Sequence, residues 1–153
     1  MRILIQRVSK SSVIVENNTV GKIGKGFLIF LGVGEGDTQE DVDYLIEKCV
    51  NLRVFPNEKG KFHYSLLDVK GEVLVVSQFT LYASTRKGRR PDFSDAADPQ
   101  ISEELYEYFV KKIEKKGILV STGVFGAKMD VEIHNDGPVT IMIDSEQKHR
   151  KRR

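Results

Sequence analysis

The stretch Gly71–Leu81, GEVLVVSQFTL, constrains the fold more than any other part of this chain. Its apolar run Val73–Val76 is rich in β-branched residues and too short for a helix, which predicts a strand buried on both faces in the middle of a sheet. Ser77, Gln78 and Thr80 follow where this strand leaves the core. A buried strand end is a rigid support for polar side chains and free backbone N–H groups. These residues therefore either form a functional site or satisfy hydrogen bonds at the sheet edge.

The rest of the chain predicts an α/β fold in which mixed β-sheets are layered with two main helices. Further strands are expected at 1–8, 12–15, 19–23, 27–33, 52–55, 62–67, 118–122, 129–134 and 139–143. Residues 34–38 end the preceding strand and supply the N-cap of a helix at 39–51. The apolar stripe of this helix is Val42, Leu45, Ile46, Cys49 and Val50. A second helix is expected at 99–116, with an inner side formed by Ile101, Leu105, Tyr108, Phe109 and Ile113.

Length and composition favour one domain, residues 1–147, followed by a basic tail, 148–153, that is expected to be disordered. Cys49 is the single cysteine, so no internal disulfide is possible, and its place in the helical stripe makes it a core residue. The chain shows neither a signal peptide nor an apolar run long enough to span a membrane. A cytoplasmic protein is expected.

A second motif lies between two alternating apolar runs near the C-terminus. Residues 135–140, NDGPVT, are typical of a turn between strands. Taken together, SQFTL at 77–81, NxGPxT at 135–140 and the N-terminal MRILIQRV resemble the D-aminoacyl-tRNA deacylases. The resemblance covers essentially the whole chain, including the basic loop between the two motifs.

The resemblance implies an α/β/β layered homodimer that removes D-amino acids from tRNA. It also implies removal of glycine from mischarged tRNA-Ala, and a reaction that needs no cofactor or metal. The active site would contain Ser77, Gln78, Phe79 and Thr80. A Gly137-cis-Pro138 pair from one subunit would enter the active site of the other and reject L-aminoacyl groups, and Arg7 would brace this pair. The tRNA would be bound by the loop residues Arg86, Lys87, Arg89 and Arg90.

The residues make chemical sense of such a site. An aminoacyl ester is activated, so its hydrolysis mainly needs an oriented water and donors for the developing oxyanion, which the backbone N–H groups around Phe79 and Thr80 could supply. The base could be the 2′-hydroxyl of the terminal ribose. Thr80 is either a positioning residue or a nucleophile, and because no base neighbours it in the sequence we favour positioning. Glycine and proline at 137–138 suit a rigid wall that rejects one chirality, since glycine permits close approach and proline fixes the backbone.

Two other functions fit parts of the sequence. A tRNA-binding module without catalysis would need only the basic loop and the tail, although the loop could equally be a solvated surface. A serine hydrolase would need Ser77, His134 and Asp130 as a triad, but Ser77 is outside any G-x-S-x-G elbow. The three histidines, His63, His134 and His149, lack metal-binding spacing, so no metal site is expected.

Overall fold

The computed structural model describes residues 1–149. Within them lie two α-helices, α1 (Gln39–Val50) and α2 (Pro99–Glu114), and two 3-10 helices, Phe79–Tyr82 and Ser145–His149. The strands are β1 (Arg2–Val15), β2 (Asn18–Ile23), β3 (Gly26–Gly32), β4 (Phe55–Pro56), β5 (Phe62–Tyr64), β6 (Glu72–Ser77), β7 (Val120–Thr122) and β8 (Asp130–Asp144).

The main sheet is mixed, as predicted. Its strand order is β2-β1-β3-β6-β7, and β8 pairs with β1. Strand β1 is antiparallel to β2, β3 and β8, whereas β3, β6 and β7 are parallel neighbours. The sheet is nearly closed, because the Ser121 hydroxyl of β7 donates to the Lys22 carbonyl of β2 at 3.0 Å. The short strands β4 and β5 form a separate hairpin.

Strand β6 is buried on both faces, which confirms the prediction made from its apolar run. Val73 and Val75 belong to the large core that the sheet forms with α1 and α2, and both are fully buried. Leu74 and Val76 point to the other face, where they pack in a smaller core with Val8 and Val13 of β1, Ile23 of β2 and Leu28 of β3. A continuous apolar run is needed at this strand because neither face meets water.

Both helices lie close to their predicted positions. Thr38 is the N-cap of α1 and its N–H donates to Asp41 Oδ2 at 2.9 Å, and the predicted stripe of α1 is fully buried. In α2 the predicted inner side is partly wrong. Ile101 is 46% exposed, while Ser102 and Tyr106 are buried beside Leu105, Phe109 and Ile113. The buried stripe of α2 faces α1 and the sheet, where the Tyr106 hydroxyl donates to the Val75 carbonyl of β6, and the Ser102 hydroxyl donates to the Ala97 carbonyl.

Four strand predictions need correction. The strands expected at 1–8 and 12–15 are one strand, β1, and the strand expected at 62–67 ends at Tyr64. The strand expected at 52–55 begins only at Phe55 and pairs with β5. The strands expected at 129–134 and 139–143 are one strand, β8, and both of its halves pair with β1. Residues 135–140 therefore do not reverse the chain.

The C-terminal basic residues are partly described. Lys148 and His149 belong to a 3-10 helix, and the Lys148 ammonium lies 2.9 Å from Asp41 Oδ1 at the start of α1. Residues 150–153, the rest of the predicted tail, lie outside the described part of the chain. No helix within residues 1–149 has the length and apolar character needed to cross a membrane.

Candidate active site

The SQFTL segment leaves the sheet at the end of β6. Ser77 pairs with Leu31 of β3, and the N–H of Gln78 continues this ladder by donating to the Leu31 carbonyl at 2.7 Å. The chain then turns into the 3-10 helix Phe79–Tyr82. The polar residues thus follow a strand that is fixed on both sides, as the sequence predicts.

Two neighbouring backbone donors are free at this turn. The N–H groups of Phe79 and Thr80 have no protein acceptor within residues 1–149. The next donor, the N–H of Leu81, already bonds to the Gln78 carbonyl at 3.3 Å. The first N–H groups of any helix lack partners inside it, so they are available to an oxygen atom that carries negative charge.

The side chains of the segment contain no general base. Gln78 Nε2 donates to Thr80 Oγ1. Neither Thr80 nor Ser77 forms a hydrogen bond with a histidine or a carboxylate among residues 1–149. His134 lines a different groove, on the outer side of β1 and β8 with Lys10 and Lys22, so the imagined triad with Ser77 is not assembled.

A cavity of about 410 Å³ is lined by Phe79, one of the two residues whose N–H is free. Its walls are mostly apolar, and Phe79 meets Phe93 edge to face with ring centroids 4.9 Å apart. On the inner side, the Tyr106 hydroxyl donates to the Val75 carbonyl at 3.0 Å, and burial raises the pKa of Tyr106 to about 12. Tyr106 therefore lines the cavity as an uncharged side chain. The other lining residues are Leu31, Val33, Ser77, Gln78, Ala96, Ala97, Pro99, Ser102, Phe125 and Gly126.

Residues 136–139 form a bulge in β8, which we call the GP loop. Gln6 of β1 pairs with Thr140 and Val8 pairs with Asn135, so the four residues of the loop lie opposite Arg7 alone. The Gly137-Pro138 bond is cis, as the resemblance implies. Both residues are exposed, and neither lines the cavity of its own chain.

Arg7 holds the GP loop. Its side chain is nearly buried, and Nε donates to the Asp136 carbonyl at 3.0 Å and lies 3.5 Å from Asp136 Oδ2. Nη1 donates to the Val54 carbonyl. At Gly137, where φ is +132°, a Cβ atom would lie 3.0 Å from Arg7 Nη2 and 2.9 Å from Val139 Cγ2. Arg7 thus lies against the GP loop, in the place where the resemblance requires a brace.

The basic loop, residues 84–92, follows the SQFTL segment directly. Backbone hydrogen bonds of 2.7 and 2.9 Å between Ser84 and Asp92 close its base. Its cations are exposed and form no ion pair with any residue of 1–149, namely Arg86, Lys87, Arg89 and Arg90. These unpaired cations, in a loop between the cavity residues Phe79 and Phe93, are available to an anionic partner.

Sequence reasoning missed most of the cavity wall. Phe93, Tyr106 and Phe125 come from the segment after the basic loop, from α2 and from the segment after β7. None of the three is predicted as a site residue from the sequence, and nothing local indicates that they meet. Within residues 1–149, no cluster of three histidine, cysteine or acidic residues is placed to hold a metal ion.

Comparisons with known proteins show which family the chain belongs to. The family model of D-Tyr-tRNA(Tyr) deacylase matches residues 4–144. The D-aminoacyl-tRNA deacylase of Aquifex aeolicus is 58% identical over 147 residues, which are 96% of this chain and 99% of that protein. That of Clostridioides difficile is 57% identical over 145 residues, or 95% and 97% of the two chains. A solved structure, the c-Myc DNA unwinding element binding protein, is 40% identical with a TM-score of 0.89 and covers 94% of this chain and 98% of its own. The resemblance in the two motifs is thereby confirmed, and this chain belongs to the D-Tyr-tRNA(Tyr) deacylase family.

Proposed function

We propose that this protein is an enzyme that hydrolyses the ester bond of D-aminoacyl-tRNA and releases the D-amino acid and the tRNA. One observation carries the proposal: the N–H groups of Phe79 and Thr80 have no acceptor within residues 1–149, and Phe79 lines a mostly apolar cavity. The cavity suits the flat terminal adenosine of tRNA. The N–H groups suit the oxygen of the ester carbonyl.

The chemistry needs little from the side chains. Water adds to the carbonyl carbon of the ester, and the carbonyl oxygen becomes an oxyanion that accepts hydrogen bonds from the two N–H groups. The bond to the ribose oxygen then breaks, and that oxygen leaves with a proton. Since no histidine or carboxylate contacts Thr80 in the described residues, we assign the base to the substrate's own 2′-hydroxyl. Gln78 holds the Thr80 hydroxyl, so Thr80 orients the water or the ester rather than attacking it. Ser77 and Gln78 complete the rim of the site.

Selection between D- and L-aminoacyl groups is assigned to the GP loop of a partner subunit. Gly137 and Pro138 are exposed in one chain and stay outside its own cavity, so they can contact a substrate only in another copy. We therefore propose an α/β/β layered homodimer in which each GP loop enters the partner's cavity. Its main chain would collide with an L side chain and leave a D side chain free. Glycyl-tRNA would also be cleaved, including glycine mischarged on tRNA-Ala, because glycine has no side chain to exclude.

The basic loop is assigned to the tRNA backbone. Arg86, Lys87, Arg89 and Arg90 are exposed and unpaired within residues 1–149, and they follow the SQFTL segment. Cations so placed attract phosphates with a salt-dependent affinity. Action on tRNA also places the protein in the cytoplasm.

The decisive experiment compares D-tyrosyl-tRNA, L-tyrosyl-tRNA and glycyl-tRNA as substrates. We expect D-tyrosyl-tRNA and glycyl-tRNA to be hydrolysed and L-tyrosyl-tRNA to stay intact. Equal rates with the D and L forms, or hydrolysis of neither, would contradict the proposal. Tight salt-dependent tRNA binding without any ester cleavage would instead favour a non-catalytic tRNA-binding module.

A further inference from the structure

The hairpin β4–β5 carries a surface that the proposed function leaves unused. Phe62 is 58% exposed at its end. Around it in the chain lie the exposed side chains of Arg53, Lys59, Lys61 and His63, which we call together with Phe62 the hairpin surface. Neither Arg53 nor the two lysines form an ion pair within residues 1–149, and Glu58 is the single acidic residue between positions 53 and 63.

The tip of the hairpin is ordered by its own hydrogen bonds. Asn57 Oδ1 accepts from the N–H groups of Lys59 and Lys61 at 3.0 and 3.1 Å. The Asn57 carbonyl accepts from Gly60, whose φ of +71° suits glycine, and the Asn57 N–H donates to the Lys61 carbonyl at 2.9 Å. The backbone that carries the two lysines therefore has a fixed shape, and binding would not need to order it.

The hairpin is also tied to the GP loop. The Arg7 guanidinium that holds the Asp136 carbonyl donates to the Val54 carbonyl, one residue before β4. The same guanidinium lies 5.8 Å from the centre of the Phe62 ring. Arg7 joins the two segments from a buried position, so the hairpin surface must accompany the GP loop wherever that loop binds.

We infer that the hairpin surface binds the unpaired 3′ nucleotides of the tRNA whose aminoacyl end occupies the partner subunit's cavity. This inference rests on the proposed function, because the position of the hairpin beside the substrate follows from the GP loop acting in the partner. An exposed aromatic ring on a hairpin that also carries exposed cations is a combination that binds single-stranded RNA: the ring stacks on a base and the cations pair with phosphates. A polyanionic strand also complements the charge of this surface better than an apolar partner would.

The test is the binding of uncharged tRNA to protein variants, with the intact tRNA compared against the same tRNA trimmed of its unpaired 3′ nucleotides. We expect Phe62→Ala to weaken binding of intact tRNA roughly 5- to 150-fold, the fold-change that corresponds to base–aromatic stacking, and to leave the trimmed tRNA unaffected. Phe62→Tyr should bind like the wild type. Since Phe62 is exposed, its replacement should not unfold the protein.

The lysines are tested by the salt dependence of the same binding. Lys59→Ala/Lys61→Ala should make the slope of log K against log salt shallower by about 1.4, or about 0.7 for each single-strand phosphate contact. Lys111→Ala/Lys115→Ala is the matched control, since Lys111 on α2 and Lys115 at its C-cap are both exposed and form no ion pair within residues 1–149. It should leave the slope unchanged.

Three results would overturn the inference: equal weakening of both tRNAs by Phe62→Ala, no weakening of either, or a slope that changes no more than in the α2 control. Uncharged tRNA has no aminoacyl ester to be cleaved, so this binding test is independent of catalysis. If the wild-type protein shows the expected binding but does not cleave D-tyrosyl-tRNA, the proposed function fails and the binding surface stands. If it cleaves that substrate but Phe62→Ala binds both tRNAs normally, only the inference fails.

Discussion

Replacing Arg7 with lysine tests whether a buried guanidinium fixes the GP loop. The arginine donates from Nε to the Asp136 carbonyl and from Nη1 to the Val54 carbonyl, two acceptors on different segments. A lysine keeps the positive charge but has one ammonium group at the end of a flexible chain, so it can satisfy one of these segments at a time. The other carbonyl would lose its partner in a nearly buried place.

The size of the effect follows from these contacts. A hydrogen bond to a charged group contributes about 1.5–3 kcal/mol, and the loss of the Phe62 contact adds about 0.5–1 kcal/mol. We therefore expect the free energy of unfolding to fall by about 2–4 kcal/mol, which lowers Tm by roughly 4–16 °C in a chain of this size. The GP loop should also become less fixed. The ratio of D-tyrosyl-tRNA to L-tyrosyl-tRNA hydrolysis should then fall more than the rate with the D substrate.

Urea unfolding followed by circular dichroism measures the first quantity, and parallel deacylation assays measure the second. Arg2→Lys is the matched control, because Arg2 also bonds a carboxylate and a carbonyl, Asp144 Oδ2 at 2.9 Å and Leu81 O at 3.1 Å, but its side chain is 34% exposed. We expect Arg2→Lys to lower the free energy of unfolding by less than about 1 kcal/mol and to leave the ratio of D-tyrosyl-tRNA to L-tyrosyl-tRNA hydrolysis unchanged. If Arg7→Lys is no more destabilising than Arg2→Lys, or if it loses stability without any change in the ratio, the bracing role is refuted.

Four further predictions concern separate parts of the molecule. Thr80→Ala should keep substantial deacylation activity, whereas a substrate with a 2′-deoxy terminal ribose should be cleaved much more slowly. If Thr80→Ala is inactive and the wild-type enzyme still cleaves the deoxy substrate, Thr80 is the nucleophile. Neutralising the four cations of the basic loop should weaken tRNA binding and flatten its salt dependence without changing the D/L ratio, and an unchanged slope would identify the loop as a solvated surface. Although burial alone would raise the pKa of Asp41, hydrogen bonds from Lys148 and the backbone hold it below its usual value. Its stabilising effect is thus fully present above the unfolded pKa of about 3.9 and is lost progressively as the pH falls from there through the lower pKa of the folded state. Asp41→Asn should therefore reduce the free energy of unfolding in urea most at pH 7 and by a progressively smaller amount as the pH is lowered below about 3.9. Gly21→Ala would place a Cβ atom 2.3 Å from the Thr122 carbonyl, where β2 meets β7, and should lower stability by at least about 1 kcal/mol; unchanged unfolding would mean that the two strands separate freely.

Much of the secondary structure is encoded locally. The run at 73–76 predicts a strand buried on both faces, and the structure places one core on each side of it. The stripe of α1 is likewise fixed by residues three and four apart, all of which are buried. The SQFTL segment was also predictable, because a change from apolar to polar residues marks where a strand leaves the core.

Other features depend on contacts between distant segments. Asn-Asp-Gly-Pro gives the same local signal in a turn and in a bulge, and only the pairing of both flanking segments with β1 makes residues 136–139 a bulge. The cavity needs Phe93, Tyr106 and Phe125 from three separate segments, none of which carries a local sign of its role. Arg7 looks like a solvated edge residue in the sequence, yet it is buried between the GP loop and the hairpin β4–β5. Periodicity reports which side of one element is apolar. Which elements meet is decided by tertiary packing, because burial and hydrogen-bond satisfaction are properties of the whole chain.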